Sequence, residues 1–465
     1  MKYFLIISLC CVVAVSCSSP DTAPDSSFPL KDYVMAGDEA FSYAVLDSVI
    51  GENFKEYKVK MVSGTWLTEA EVEPAEWWHW VNIIIPDQVR ENEAMMIIGG
   101  GDASDPGSLP SEDWLIQAAV ATGSIIAHVS NIPFQPTDFK GDQKEGRYED
   151  DLIAFGWRQY LESGASETHL EWLARFPMTR AVVRAMDVVQ EISIAEQKLV
   201  EGFFVAGASK RGWTTWTTAA VDDRVIGMAP IVIDLLNIVP SFEHHWRCYG
   251  EWSPAVEEYV VEGIMDWMGS KEFNSLLETV GPYSFINELT MPKLLINGTC
   301  DEFFVTDSWK FYWDDLKDDK YLLYVPNANH GLQGTYQPAS LVSFYNAVIT
   351  ETPIPEYSWS VSDDTIHMKV DPGTDYRINK WEAVNETDRD FRIYVIGEVW
   401  QKEEINKQDD GEYVIHFTQP ESGFKAGLVE VVFNPDTDFP LYFTSGTLVT
   451  PDVYPFEPFQ PAKPR

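Results

Sequence analysis

Phe203-Phe204-Val205-Ala206-Gly207-Ala208-Ser209-Lys210-Arg211-Gly212 decides the fold. Phe203 to Ala206 reads as a short buried strand. Gly207-Ala208-Ser209 breaks it, and Trp213 to Ala220 follows at once as a helix-like segment. A strand, a sharp turn carrying Ser, then a helix is the setting of a nucleophile elbow. The turn projects the hydroxyl outward, and Gly207 spares the crowded backbone a side chain. The helix start offers N–H groups and a positive dipole end to a developing oxyanion. One departure stands out: the second glycine of G-x-S-x-G is replaced by Arg211, with Gly212 behind it. Alone, the segment reads equally as an ordinary Gly/Ser loop into a helix.

Two downstream segments supply partners. Pro292-Lys-Leu-Leu-Ile-Asn-Gly298 predicts a strand, and Asp301 stands just past its carboxyl end, where an α/β sheet builds its site. Tyr321–Val325 predicts another, followed by Pro326-Asn-Ala-Asn-His330-Gly331. Ser209, Asp301 and His330 thus occur in hydrolase triad order, each at a strand end. His330 is the expected general base and Asp301 its orienting partner. Asp234 and Asp307 compete as acids, Asp307 doubling as a helix cap. His244 and His245 compete as bases, but adjacent side chains diverge, so a place on a helix or loop surface is expected for them.

An oxyanion hole needs two N–H donors. Lys210 follows the nucleophile directly. Ile97-Ile98-Gly99-Gly100-Gly101 is a strand running into glycines, and Gly100 and Gly101 are the candidates for the second donor. Arg211 is a candidate contact for an anionic substrate or intermediate, and equally a partner for a structural carboxylate. Trp77, Trp78, Trp80, Trp213 and Trp216 cluster near these segments, and core packing is their default role.

Short apolar runs at Val81–Ile85, Ala94–Ile98, Ser124–Val129, Gly202–Ala206 and Val225–Ile233 alternate with helical spacing, as in Trp114–Ala121 and Met178–Ile194. This predicts a mostly parallel sheet with helices on both faces. Thr352-Pro-Ile-Pro355 reads as a linker. Beyond it lie short alternating runs: Tyr357–Val361, Thr365–Val370, Phe391–Val399, Gly411–Phe417, Gly427–Phe433 and Leu441–Ser445. They predict a β-sandwich of immunoglobulin-like type.

Met1-Lys2, an apolar run from Tyr3 to Val15, and Ala14-Val15-Ser16-Cys17 predict an export signal over residues 1–16 with Cys17 as a lipidated first residue. The expected divisions are a tether over 17–40, an α/β-hydrolase domain over 41–350 and a sandwich over 355–455. The chain would then be exported and held at the cell envelope, as an outer-membrane lipoprotein or a periplasmic or extracellular protein. Its only membrane contact would be the lipid.

Of 465 residues, 33 are Lys or Arg and 73 Asp or Glu, a net charge of −40. That balance excludes nucleic acid as a partner, since phosphate binding needs clustered cations. No CxxC, P-loop or GxGxxG occurs, so no cofactor and no metal are expected. Cys248 and Cys300 have no fixed pairing from sequence.

Several segments together resemble one family, the PhoPQ-activated pathogenicity-related proteins (PqaA type). They are Thr65-Trp-Leu-Thr-Glu-Ala70, Trp77-Trp-His-Trp80, Gly207-Ala-Ser-Lys-Arg-Gly-Trp213, Ala229-Pro230 with Ile233-Asp234, Pro292-Lys293, Asp301-Glu-Phe-Phe304, and Pro326-Asn327 with His330. The resemblance spans about residues 40–450. It implies an exported α/β-hydrolase-like protein with a β-rich C-terminal part, and it implies that Arg211 belongs to the family pattern. The expected activity is serine hydrolysis of a peptide or ester through Ser209. The alternatives are a non-catalytic binding or signalling protein on the same scaffold, and a lectin-like C-terminal module.

Overall fold

Phe203 and Val205 point to one face of their strand, Phe204 and Ala206 to the other, and all four are fully buried. Leu295 opposes Leu294 and Ile296 in the same way, and Leu322 and Tyr324 oppose Leu323 and Val325. Strands buried on both faces lose the apolar–polar alternation and read as continuous apolar runs. A one-residue slip would exchange the two faces, so the register is strongly specified.

A computed structural model describes residues 28–463. The expected export signal and Cys17 lie outside the described residues. A nine-stranded sheet forms the body. Its strands are β1 (Ser42–Gly51), β2 (Phe54–Thr65), β3 (Glu76–Pro86), β4 (Glu93–Ile98), β5 (Ile125–Val129), β6 (Gly202–Ala208), β7 (Val225–Ile231), β8 (Lys293–Gly298) and β9 (Lys320–Val325). Their spatial order is β1-β2-β3-β5-β4-β6-β7-β8-β9. Pairing is antiparallel from β1 to β5 and parallel from β5 to β9. The parallel part of this order, with helical crossovers on both faces, is the α/β-hydrolase arrangement.

On one face lie α1 (Pro29–Met35), α3 (Glu149–Glu162), α4 (Arg175–Ala195), α5 (Lys210–Val221), α6 (Ile238–Tyr249) and α8 (Lys271–Val280). On the other lie α2 (Asp113–Thr122) and α9 (Gln337–Ile349). Helix α1 corrects part of the expected tether over 17–40. Pro29 opens the helix, and Leu30 and Val34, four residues apart, are both fully buried. Phe28 packs on Phe285 at 4.5 Å and Tyr33 on Phe176 at 5.1 Å.

The C-terminal part contains a three-stranded and a five-stranded antiparallel sheet. Ile366, Met368 and Val370 face inward from a strand of one sheet that alternates buried and exposed, and Val429, Val431 and Phe433 join the same core from a strand of the other that is buried on both faces. These sheets pack directly on the body. Tyr321 of β9 stacks on Phe443 at 4.9 Å, and the Tyr324 N–H donates to Thr444 Oγ1 at 3.0 Å. The run Phe391–Val399, expected as a strand, is instead a loop around the short helix Ile393–Ile396. Its backbone bonds to the body rather than to a ladder: the Ile393 N–H donates to the Cys300 carbonyl at 3.0 Å.

Candidate active site

Ser209 sits between β6 and α5 with φ 58° and ψ −124°, a strained conformation for a residue with a side chain. Two backbone bonds hold the strain. The Ser209 N–H donates to the Ile231 carbonyl at 2.7 Å, and the Trp213 N–H donates to the Ser209 carbonyl at 2.9 Å. The turn closes on two glycines. A Cβ on Gly207 would lie 2.7 Å from the Arg211 carbonyl oxygen. A Cβ on Gly212 would lie 2.8 Å from Ile233 Cγ2 and 3.0 Å from the Gly207 oxygen. Gly212 thus does the close-packing work expected of the missing glycine at 211.

Asp301 follows β8 and is buried. Its Oδ1 accepts the N–H groups of Phe303 at 2.7 Å and Phe304 at 3.2 Å. Its Oδ2 meets His330 Nδ1 at 2.8 Å. A carboxylate only accepts, so Nδ1 carries the proton and Nε2 presents its lone pair. His330 follows β9, and its backbone N–H donates to Glu302 Oε2 at 2.8 Å. The Phe303 ring lies on the imidazole, 4.1 Å between centroids. His330 Nε2 is buried and has no hydrogen-bond partner. Asp301 and His330 are therefore brought together and oriented, while Ser209 Oγ makes no hydrogen bond among the described residues.

Lys210 opens α5, so its N–H has no acceptor within the helix. Gly99, Gly100 and Gly101 follow β4 and turn over the elbow. The Gly100 carbonyl accepts the Asn131 N–H at 2.6 Å, and a Cβ on Gly100 would lie 2.9 Å from the Arg211 guanidinium.

The basic pair is neutralised on the protein itself. Lys210 Nζ contacts Glu149 at 2.9 Å and Asp150 at 2.8 Å, and Arg211 contacts Glu149 at 2.6 Å. Burial opposes the charge on Glu149, but Arg211 and Lys210 outweigh it and hold its carboxyl at about 2. Arg211 also donates to the Ile132 carbonyl. The expected anion contact at Arg211 is thus replaced by a structural clamp between α5, α3 and the 131–135 loop.

The competing groups are engaged elsewhere. Asp234 is buried and accepts the hydroxyls of Tyr312 and Tyr324. Asp307 takes Arg389, Lys310 and His244. His245 Nε2 accepts the Ser253 N–H at 3.0 Å. Both rings are buried rather than on the expected surface, and burial lowers His244 to about 4 and His245 to about 3, so they are neutral parts of the core. Cys248 and Cys300 are buried free thiols. Trp77, Trp213 and Trp216 are core residues, whereas Trp78 and Trp80 are half-buried beneath Lys60 and Lys58.

A narrow, largely apolar cavity opens beside Ser209, walled by Trp157, Trp213, Phe242, Phe303 and Phe304. Sequence reasoning missed three polar residues lining it: Asp150, Arg175 and Tyr259. They come from three different helices, and no local motif marks them.

The chain is 35% identical over 460 residues to autocrine proliferation repressor protein A of Dictyostelium discoideum, covering 92% of each protein. It is similar to acetyl xylan esterase 1 from Thermoanaerobacterium sp. JW/SL YS485, with 11% identity and TM-score 0.47 over 69% of this chain and 91% of the other. It is also similar to an acetyl xylan esterase from Paenibacillus sp. R4, with 13% identity and TM-score 0.46 over 69% and 92%. The model of the PhoPQ-activated pathogenicity-related proteins matches residues 30–392, and the chain belongs to that family.

Proposed function

We propose that the chain is an exported serine hydrolase that cleaves a peptide or ester through an acyl-enzyme on Ser209. One observation carries the reading. A serine held at φ 58° ends one strand, and at the ends of two others an aspartate-oriented histidine keeps a buried Nε2 with no partner. A buried nitrogen lone pair left unmatched costs stability, and such groups persist where function uses them. In the reacting enzyme the Ser209 hydroxyl would donate to Nε2. Nucleophile–base contacts are often long without substrate.

The reaction then runs as follows. Ser209 Oγ attacks the carbonyl carbon and its proton passes to His330 Nε2. Asp301 stabilises the imidazolium. The N–H groups of Lys210 and of Gly100 or Gly101 receive the oxyanion. The C–O or C–N bond breaks as His330 returns the proton to the leaving atom. Water, deprotonated by His330, attacks the acyl carbon, and the acyl C–O bond to Ser209 breaks as His330 returns that proton to Oγ, releasing the acid and free Ser209.

The experiment is labelling of the mature protein with a fluorophosphonate probe. Labelling lost in Ser209→Ala supports the reading, and absence of labelling in the wild type ends it. The second reading is a non-catalytic signalling protein, favoured by the missing Ser209–His330 hydrogen bond and by the relative named a proliferation repressor. Retention of a biological effect by Ser209→Ala would select it.

Export and lipidation at Cys17 belong to the same proposal. A Cys17→Ala chain that still enters the detergent phase like the wild type would refute the anchor.

A further inference from the structure

We propose that the cavity beside Ser209 takes a substrate bearing a carboxylate on an apolar arm, received by the guanidinium of Arg175; this rests on the serine-hydrolase reading above. Arg175 is 1% exposed and lines the cavity together with Ser209. One of its nitrogens donates to the Lys210 carbonyl at 2.7 Å, directly after the nucleophile. The guanidinium lies over the Trp213 ring at 4.5 Å. Its Nε is buried without an acceptor.

The contrast with the other buried arginines is direct. Arg147, Arg180, Arg389 and Arg392 each contact a carboxylate. Among the described residues, Arg175 has no carboxylate within 4.0 Å. The nearby acids are already committed, Glu149 to Lys210 and Arg211, and Asp150 to Lys210 and the Tyr259 hydroxyl. Three cations therefore face two carboxylates, and the cluster keeps one positive charge in a chain of net charge −40. An uncompensated buried cation is costly. Burial lowers Arg175 to about 10, which still leaves it charged at neutral pH. A ligand carboxylate supplies the missing negative charge, and the planar guanidinium suits a carboxylate. The remaining walls, including Trp157, Phe242 and Phe304, suit an apolar spacer between that carboxylate and the scissile bond.

The test compares 4-nitrophenyl hemiglutarate with neutral 4-nitrophenyl valerate on the full mature chain. The expected kcat/KM ratio favours the charged ester by about 10- to 100-fold, the range of a hydrogen bond to a charged group, and mostly through KM. In Arg175→Met and Arg175→Gln the ratio falls to about one, with folding followed by circular dichroism. The wild-type ratio needs no variant, so the proposal stands or falls even if both variants unfold. Fluorophosphonate labelling of Ser209 separates two failures. Labelling with a wild-type preference for valerate, or with a hemiglutarate preference that survives in a folded variant, overturns the carboxylate site alone. No labelling and no cleavage of either ester overturns both readings.

Discussion

Asn327 and Trp400 are joined by two reciprocal hydrogen bonds, Trp400 N–H to Asn327 Oδ1 at 2.8 Å and Asn327 Nδ2 to the Trp400 carbonyl at 3.0 Å. Asn327 lies in the loop that carries His330, and Trp400 ends the loop that follows β12 (Tyr376–Asn385) of the C-terminal sheets, after β10 (Tyr357–Ser362) and β11 (Thr365–Val370). The same loop bonds to the Cys300 carbonyl, next to Asp301. The C-terminal part therefore braces both the acid turn and the base loop.

Asn327→Ala removes both bonds, and it places alanine at φ 60°, where asparagine is tolerated better. A loss of about 1–3 kcal/mol is expected. Labelling of Ser209 by fluorophosphonate is expected to slow by about tenfold, as His330 loses its fixed position. Thermal unfolding and labelling rate check this. A variant matching the wild type in both would show that the brace does not position the site.

Gly212→Ala tests the elbow. The new methyl meets Ile233 and two backbone oxygens at 2.8–3.0 Å, and backbone does not yield cheaply. Overpacking of about 1–3 kcal/mol is expected, with loss of Ser209 labelling because the strained turn must open. Arg211→Gly would restore the familiar spacing but break the Glu149 clamp. It is expected to destabilise the protein rather than improve it.

Asp301→Asn separates orientation from charge. The amide keeps the two backbone acceptor bonds through its oxygen, but its NH2 can only donate to Nδ1, which moves the ring proton to Nε2. On the proposed serine-hydrolase reading, substrate turnover is expected to fall by about 10⁴-fold with folding retained. Substrate turnover and circular dichroism decide it. Turnover within tenfold of wild type would remove Asp301 from its assigned role.

The central strands and the order Ser209, Asp301, His330 were legible because double-faced burial writes continuous apolar runs and short motifs sit at their ends. The hairpin β1–β2 was not singled out: β1 is largely exposed, so no apolar period marks it. Phe391–Val399 misread as a strand because Ile393, Val395 and Ile396 are β-branched, yet Gly397 at φ 68° and the bond to Cys300 set its path. Arg175, Asp150 and Tyr259 were invisible for a different reason. Their meeting is tertiary, across α4, α3 and α7 (Glu257–Val261), and no spacing within the chain encodes it.

Arg389 ties the C-terminal loop to the body through buried Asp307, at 2.7 Å. Arg389→Met strands that carboxylate with Lys310 and neutral His244. Breaking a buried pair from one side costs about 3–5 kcal/mol. Burial opposes the Asp307 charge, but Arg389, Lys310 and His244 outweigh it and hold the carboxyl well below its usual value. Its stabilisation is therefore full above about pH 4 and lost as pH falls through the lower folded value. In the variant the acid loss is expected to begin at higher pH, read as urea midpoints from pH 2 to 6.

Asp234 is the opposite case. Burial, only partly offset by the Tyr312 and Tyr324 hydroxyls, raises its carboxyl to about 7 from 3.8. The folded state thus binds a proton that the unfolded state has released, so this group makes stability fall as pH rises from about 4 to 7. The difference amounts to at most about 4 kcal/mol above pH 7. Asp234→Asn cannot ionise, and its amide still offers an oxygen to one tyrosine and N–H groups to the other. The variant is expected to lose this slope, with the gap between the two proteins' unfolding free energies shifting in its favour from pH 5 to pH 8. Parallel pH profiles for wild type and variant would mean that Asp234 stays ionised in the core, held by the two phenols.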